Sequence, residues 1–227
     1  MNGKAGSMQG HIKGTKTSLA HSKIITVRHG TTEYGTLNII AGRIDIPLSK
    51  DGMREAEQVK EFVKGIDYDI IISSPLSRAQ QTAILCTGSD GQKIIIKKEC
   101  MERNYGKMQG IPPEHIKQLK PEVQYIRKGK YSHSLNPPEG ETFEQLRRRA
   151  TEFLHYIKDT FAGKTVLVFS HQTFLQQFHG VLLGMDPYEC LELDIKHLEF
   201  NFFDLDQNNH IQSHSLQRPL HIEHGSW

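Results

Sequence analysis

Cysteine is scarce in this chain: three residues, Cys86, Cys100 and Cys190, odd in number and with no CxxC pair among them. That excludes a disulfide framework and a zinc knuckle, and makes a reducing cytoplasmic setting the expected location. Long apolar runs are missing too. No stretch nears the roughly 20 residues that a membrane-crossing helix needs, so no membrane partner is expected. Charge of one sign is not in excess either, with 28 Lys and Arg against 26 Asp and Glu. Such balance lacks the basic field that draws nucleic-acid backbones, so no nucleic acid is expected and a small-molecule partner fits better. Nor does the start carry the apolar segment of a signal peptide. Residues 1–22, rich in Gly, Lys, Ser and Thr, read as a disordered leader or an expression remnant, and 207–227 as a polar C-terminal tail. His210 and His214 in that tail have metal-ligand spacing, but no apolar pattern around them predicts a rigid helix, and no metal site is read there. Oligomeric state has no signature in the sequence.

What is present is one domain's worth of alternating patterns. The 227 residues suit a single core, placed at 23–206. Short apolar runs, Ile24–Val27, Ile70–Ile72, Ile94–Ile96 and Val166–Phe169, alternate with helical spacing. That combination predicts an α/β three-layer sandwich: a mainly parallel central sheet with helices on both faces. A further strand, Leu198–Leu205, alternates less cleanly and is placed at an edge. Met53, Ala56, Val59, Phe62 and Val63 share one helix face, ending near Gly65. Thr142 three residues before Gln145 forms a capping box, and Phe143, Leu146, Ala150, Phe153, Leu154 and Ile157 continue as a stripe. From Tyr105 to Gly140 the chain is rich in Pro, Gly, Lys and Tyr, which predicts an irregular helical insertion of the kind that shapes pockets.

Three of the four strands end in residues suited to phosphate: Arg28-His29-Gly30, Ser73-Ser74-Pro75 leading to Arg78, and Ser170-His171-Gln172. In open parallel sheets ligands bind at the carboxyl ends of strands, where residues distant in sequence meet. Phosphoester cleavage asks for a nucleophile, cations around the equatorial oxygens and an acid for the leaving oxygen. A neutral imidazole attacks phosphorus without a metal, so no cofactor is required. Arg28 and Arg78 offer planar forks for phosphate. His171, if protonated, adds a third positive group. Gly30 permits a close backbone approach.

Four ordered motifs then resemble the histidine phosphatase (phosphoglycerate-mutase-like) superfamily. Arg28-His29-Gly30-Thr31-Thr32 with Gly42–Gly52 is similar to its opening. Ser73–Ala83 is similar to its second arginine motif, Glu102-Arg103-Asn104-Tyr105-Gly106 with Gly110 to its acid-donor motif, and Val168-Phe169-Ser170-His171 to the strand that delivers its second histidine. The resemblance covers about Lys23 to Asp206. It implies that His29 is the phosphorylated nucleophile, that Arg28, Arg78 and His171 line the phosphate pocket, and that Glu102 donates the leaving-group proton. Thr32, Gly42, Arg103, Tyr105 and Gln172 are implied at the substrate. Two positions depart from the family pattern. Gly35 stands where an Asn commonly donates to phosphate, a loss typically of about 1.5–3 kcal/mol, with Thr32, Thr36 and Asn38 as candidate substitutes. Gln172 follows the second histidine where many members have Gly, as in the fructose-bisphosphatase branch.

The expected activity is hydrolysis of a small phosphorylated metabolite. The short interval from Glu102 to His171 is like the compact phosphatases. The run Glu102–Tyr105 is like the mutases, so phosphoglycerate mutase-type transfer stays open. So does a non-catalytic phospholigand-binding role, motivated by Gly35. Sugar phosphates, phosphoglycerates and nucleoside-type phosphates are all admitted. Lys107, Arg127, Lys128 and Lys130 are candidates to meet a second anionic group, against the reading that they are solvated surface.

Overall fold

The computed structural model describes residues 22–207 and 210–220. The expected leader lies outside them apart from Ser22, as do residues 221–227 of the expected tail. Eight strands and seven α-helices follow in chain order: β1 Ser22–Arg28, α1 Glu33–Thr36, α2 Lys50–Gln58, α3 Lys60–Lys64, β2 Ile70–Ser73, α4 Ser77–Thr87, β3 Ile95–Ile96, α5 Pro113–Ile116, β4 Tyr125–Lys128, β5 Tyr131–Ser134, α6 Phe143–Thr160, β6 Thr165–Ser170, α7 Gln172–Leu182, β7 Phe200–Leu205 and β8 Ile211–Gln217.

Six strands make one sheet in the order β3-β2-β6-β1-β7-β8. The first four run parallel, and β7 and β8 add antiparallel. Successive residues of a strand point to opposite faces, and the apolar strands use both. Ile24, Val166 and Val168 pack with Phe153, Phe174 and Phe178 of α6 and α7. Ile25, Val27, Leu167 and Phe169 pack on the other side with Ala56 of α2, Val59 between α2 and α3, Val63 of α3 and Ala83 of α4. Each such side chain contributes roughly 1.5–3 kcal/mol by leaving water. The α/β three-layer fold is therefore as expected, and α3 closes on Gly65. The capping box forms: Gln145 N donates to Thr142 Oγ1 at 3.3 Å and Thr142 N to Gln145 Oε1 at 2.8 Å.

Several features go beyond or against expectation. The helix expected through Met53 and Val63 is broken at Val59 into α2 and α3, and Met53 is exposed. β7 is not an edge but lies between β1 and β8. The outer strand β8 comes from the segment expected to be a polar tail. Six of its seven residues are exposed, so it has no apolar face to announce it, and backbone pairing with β7 holds it. Helix α7 gives no one-faced stripe because nine of its residues are buried, Gln176 and Gln177 included. The insertion holds, besides short helical turns, a hairpin of β4 and β5 turning at Gly129 (φ +56).

The parallel strands end nearly flush at their carboxyl ends. Arg28 is level with Ser170, and Ser73 with Phe169. His29 N donates to Ser170 O at 3.0 Å and Ser74 N to Phe169 O at 3.1 Å, so His29, Ser74 and His171 leave the sheet side by side.

Candidate active site

His29 is 8% exposed, and its two ring nitrogens have different partners. Nδ1 lies 2.7 Å from Gly30 O, a carbonyl that only accepts, so this nitrogen carries the proton. Arg78 Nε, which only donates, reaches Nε2 at 3.3 Å. Nε2 therefore keeps its lone pair. Burial, then the charges of Arg78 and Arg28, push the pKa of His29 well below its ordinary value, so the ring is neutral.

Arg78 is almost wholly buried at the second position of α4. Its Nη1 donates to Ile44 O at 3.0 Å and Nη2 to Gly42 O at 2.7 Å. Gly42 sits at φ +52, where a Cβ would come within 2.2 Å of Gln109 Oε1; glycine is needed to aim that carbonyl. Arg28 donates through Nη1 to Ile195 O at 2.7 Å, while its Nε is buried with no hydrogen-bond partner. Burial lowers both arginines to about 10, still cationic at neutral pH. His171 is fully buried, its ring 5.1 Å from that of His29, with Nε2 2.8 Å from Ser74 Oγ. Burial and the neighbouring Arg78 lower its pKa well below the ordinary value. His171 is thus neutral, not the third cation that a protonated ring would supply. An incoming dianion works against that shift, because opposite charge favours the protonated ring.

Glu102 approaches from the loop before the insertion. Oε1 accepts from Arg103 N at 2.7 Å and Phe174 N at 3.1 Å, and Oε2 from Thr173 N at 3.2 Å. Two of these amides belong to the first turn of α7, whose N–H groups have no partner within the helix. His29, Arg28, Arg78, Glu102, Thr32, Gly42, Tyr105 and Gln172 line one pocket of about 570 Å³. Tyr105 is tied to it by its hydroxyl, 2.9 Å from Thr173 Oγ1. His171 stands behind His29, off the lining.

Arg103 is not brought to this pocket. It is fully buried behind the wall, where Nε donates to Glu141 O at 2.8 Å and Nη1 to Ser134 O at 2.7 Å, with its guanidinium 3.8 Å over the Phe143 ring. At Gly30 a Cβ would lie 3.0 Å from Gly52 O at the start of α2, so the backbone packs closely there. Of the residues offered in place of the missing Asn, Thr32 and Asn38 lie on the lining and Thr36 does not. His210 pairs with Asp206, whereas His214 stacks on Phe203 and bonds Asn201. The sequence reading missed Ser74 as the partner of His171, and His197, whose ring lies 5.6 Å from that of His29. Ser74 lies within the Ser73–Ala83 motif, so its strand-end place is a usable signal. His197 follows no motif. It is presented by a loop in which Leu198 adopts φ +54 and donates to Arg28 O at 3.0 Å.

Comparison with known proteins agrees with this fold. The uncharacterized phosphatase PhoE of Bacillus subtilis (strain 168) is 30% identical over 72% of this chain and 79% of its own length. The 2,3-bisphosphoglycerate-dependent phosphoglycerate mutase of Methanococcus vannielii is 29% identical over 77% and 86%. A crystal structure of a mutant phosphoserine phosphatase from Entamoeba histolytica, in complex with phosphoserine, has the same fold, with a TM-score of 0.68 at 24% identity over 85% of this chain and 96% of that one. A family model of the histidine phosphatase superfamily (branch 1) matches residues 24–215, and the chain belongs to that superfamily.

Proposed function

We propose that the chain is a phosphatase that hydrolyses small-molecule phosphomonoesters through a phosphohistidine on His29, without a metal. The observation that carries this is the His29 tautomer: Nδ1–H is held by Gly30 O, and the Nε2 lone pair sits beside Arg78. Nε2 attacks phosphorus while the bond to the leaving oxygen breaks, and Glu102, entering this step protonated, gives its proton to that oxygen. Water then attacks the phosphohistidine, the P–N bond breaks, and Glu102 takes the water's proton. Arg28 and Arg78 stabilise the equatorial oxygens throughout. His171 gains a proton-favouring partner once phosphate is bound.

The test is a rapid quench of turnover in excess chelator. An acid-labile, base-stable phosphoryl adduct is expected on the wild type, and His29→Ala should lose turnover by about 10⁴-fold or more. An acid-stable adduct, or wild-type rates in the variant, would overturn the proposal. The run Glu102–Tyr105 and the mutase relative favour a second reading, phosphoryl transfer between positions of a phosphoglycerate. Arg103 speaks against it, since both of its hydrogen bonds hold backbone and leave it off the pocket lining. Isomerisation of 3-phosphoglycerate with its bisphosphate primer, without phosphate release, would install the mutase reading instead.

A further inference from the structure

The pocket's volume of about 570 Å³ falls within the roughly 300–1,000 Å³ of sites that enclose whole small molecules. A phosphoryl group occupies only the part around His29, and the walls of the remainder are uneven in character. Ile39 and Ile40, from the segment after α1, and Met108 and Ile116, from the insertion, form an apolar side. Met108 and Ile116 belong to a small core of their own with Ile40 packed on it, so this side is braced from behind. Tyr34 and Tyr125 carry the surface to the mouth, where Tyr125 is 49% exposed.

Charge is disposed the other way. Arg28 and Arg78, at the floor, match the two negative charges of a phosphoryl dianion. Lys196 is the one further Lys or Arg on the lining among the described residues. Its Nζ is 2.9 Å from Asp194, which also receives Lys130 at 2.8 Å and the Tyr131 hydroxyl. The insertion's other basic residues face elsewhere: Lys107 pairs with Glu139 at 2.6 Å and Lys128 approaches Glu192 at 4.0 Å. Neither they nor Arg127 line the pocket. A second phosphate or carboxylate in this space would be desolvated without a free counter-charge, which is costly. An apolar body would be desolvated with gain.

We propose that the apolar side receives the leaving group and selects phosphomonoesters of apolar or aromatic alcohols that carry no second anionic group. This rests on the phosphatase reading above. The test uses primary-alcohol esters, whose leaving groups are alike, so that differences report the wall rather than the chemistry. The wild type should hydrolyse 2-phenylethyl phosphate with kcat/KM at least about 10-fold above glycerol 3-phosphate, glucose 6-phosphate and 3-phosphoglycerate, the lower end of what one apolar group is worth in a pocket. Tyr125→Ala and Ile40→Ser, checked for unchanged Tm, should narrow that ratio. In parallel, calorimetry on His29→Ala should show tighter binding of 2-phenylethyl phosphate than of glycerol 3-phosphate. If the wild type hydrolyses the polar esters as fast as the phenyl ester, and His29→Ala abolishes both, the selection proposal is overturned and the phosphatase reading stands. If nothing is hydrolysed but His29→Ala keeps the binding preference, the phosphatase reading falls and the apolar site remains. Equal binding without hydrolysis sinks both.

Discussion

Gly35 is where a single residue departs from the family pattern that the sequence resembles, at the proposed phosphate site. It lies on the pocket lining, and its amide donates to Thr32 Oγ1 at 3.2 Å. A Cβ built there meets only that oxygen, at 3.4 Å, and φ is outside the left-handed region. A side chain is thus missing without being excluded. Gly35→Asn should restore a donor beside Arg28 and His29 and tighten inorganic phosphate about 10-fold, the low end of a hydrogen bond to a charged group. Calorimetry on the two proteins measures it. Unchanged affinity would mean that Thr32 and Asn38 already fill the phosphate's hydrogen-bond sphere.

At the scale of elements, Glu141 links the end of the insertion to α6 and to the strand-end loop of Glu102. Its carboxylate accepts from Arg149 Nε and Nη2 at 2.9 and 2.7 Å, from Arg43 Nη2 at 3.3 Å and from Asn104 N at 3.2 Å. Arg43 Nε and Arg149 Nη2 in turn donate to Glu102 O at 3.2 and 3.3 Å. Removing the charge at Glu141 should let Glu102 drift, and small misplacements are expensive in catalysis. Glu141→Gln is expected to lower kcat about 10-fold for an alkyl phosphate but less than about 3-fold for 4-nitrophenyl phosphate, whose leaving oxygen needs little proton help. Equal losses on both, or a collapsed Tm, would assign Glu141 to stability alone. Neither this network nor the hairpin is legible in the sequence. β1, β2 and β6 are, as short unbroken apolar runs buried on both faces, and α6 is, as an apolar face that recurs every three or four residues. α7 is buried all round and β8 is paired at an exposed edge, so neither has a face to show. The site divides along the same line. His29, Arg78, Glu102 and His171 sit in ordered motifs at element ends, whereas Arg103 shares a motif yet is turned behind the wall by Glu141 O and Ser134 O, contacts that only the folded chain creates.

For the molecule as a whole, five imidazoles tie stability to pH, His214 among them, lowered by burial. Burial lowers His133 to about 4 and His179 to about 3, and burial with Arg78 nearby lowers His29 and His171 well below their ordinary value. Unfolding returns each to about 6.5, so in the interval between folded and unfolded values the unfolded chain binds more protons. The stability that rests on keeping them neutral is complete above about pH 6.5 and is lost as pH falls from there toward the folded values. Each of His29, His133, His171 and His179 contributes a slope of about 1.4 kcal/mol per pH unit, and the more exposed His214 less. Thermal melts should therefore give a nearly constant Tm from pH 8 to 7 and a steep fall from pH 6 to 5. A Tm unchanged down to pH 5 would contradict these shifts. The same depression of His29 keeps the proposed nucleophile unprotonated well below its ordinary value, so the acid limit on activity is expected to come from unfolding before it comes from the imidazole. Two assays separate the two: activity measured immediately after a jump to pH 5.5 should stay near its neutral value, and activity after prolonged incubation there should decline in step with the loss of folded protein.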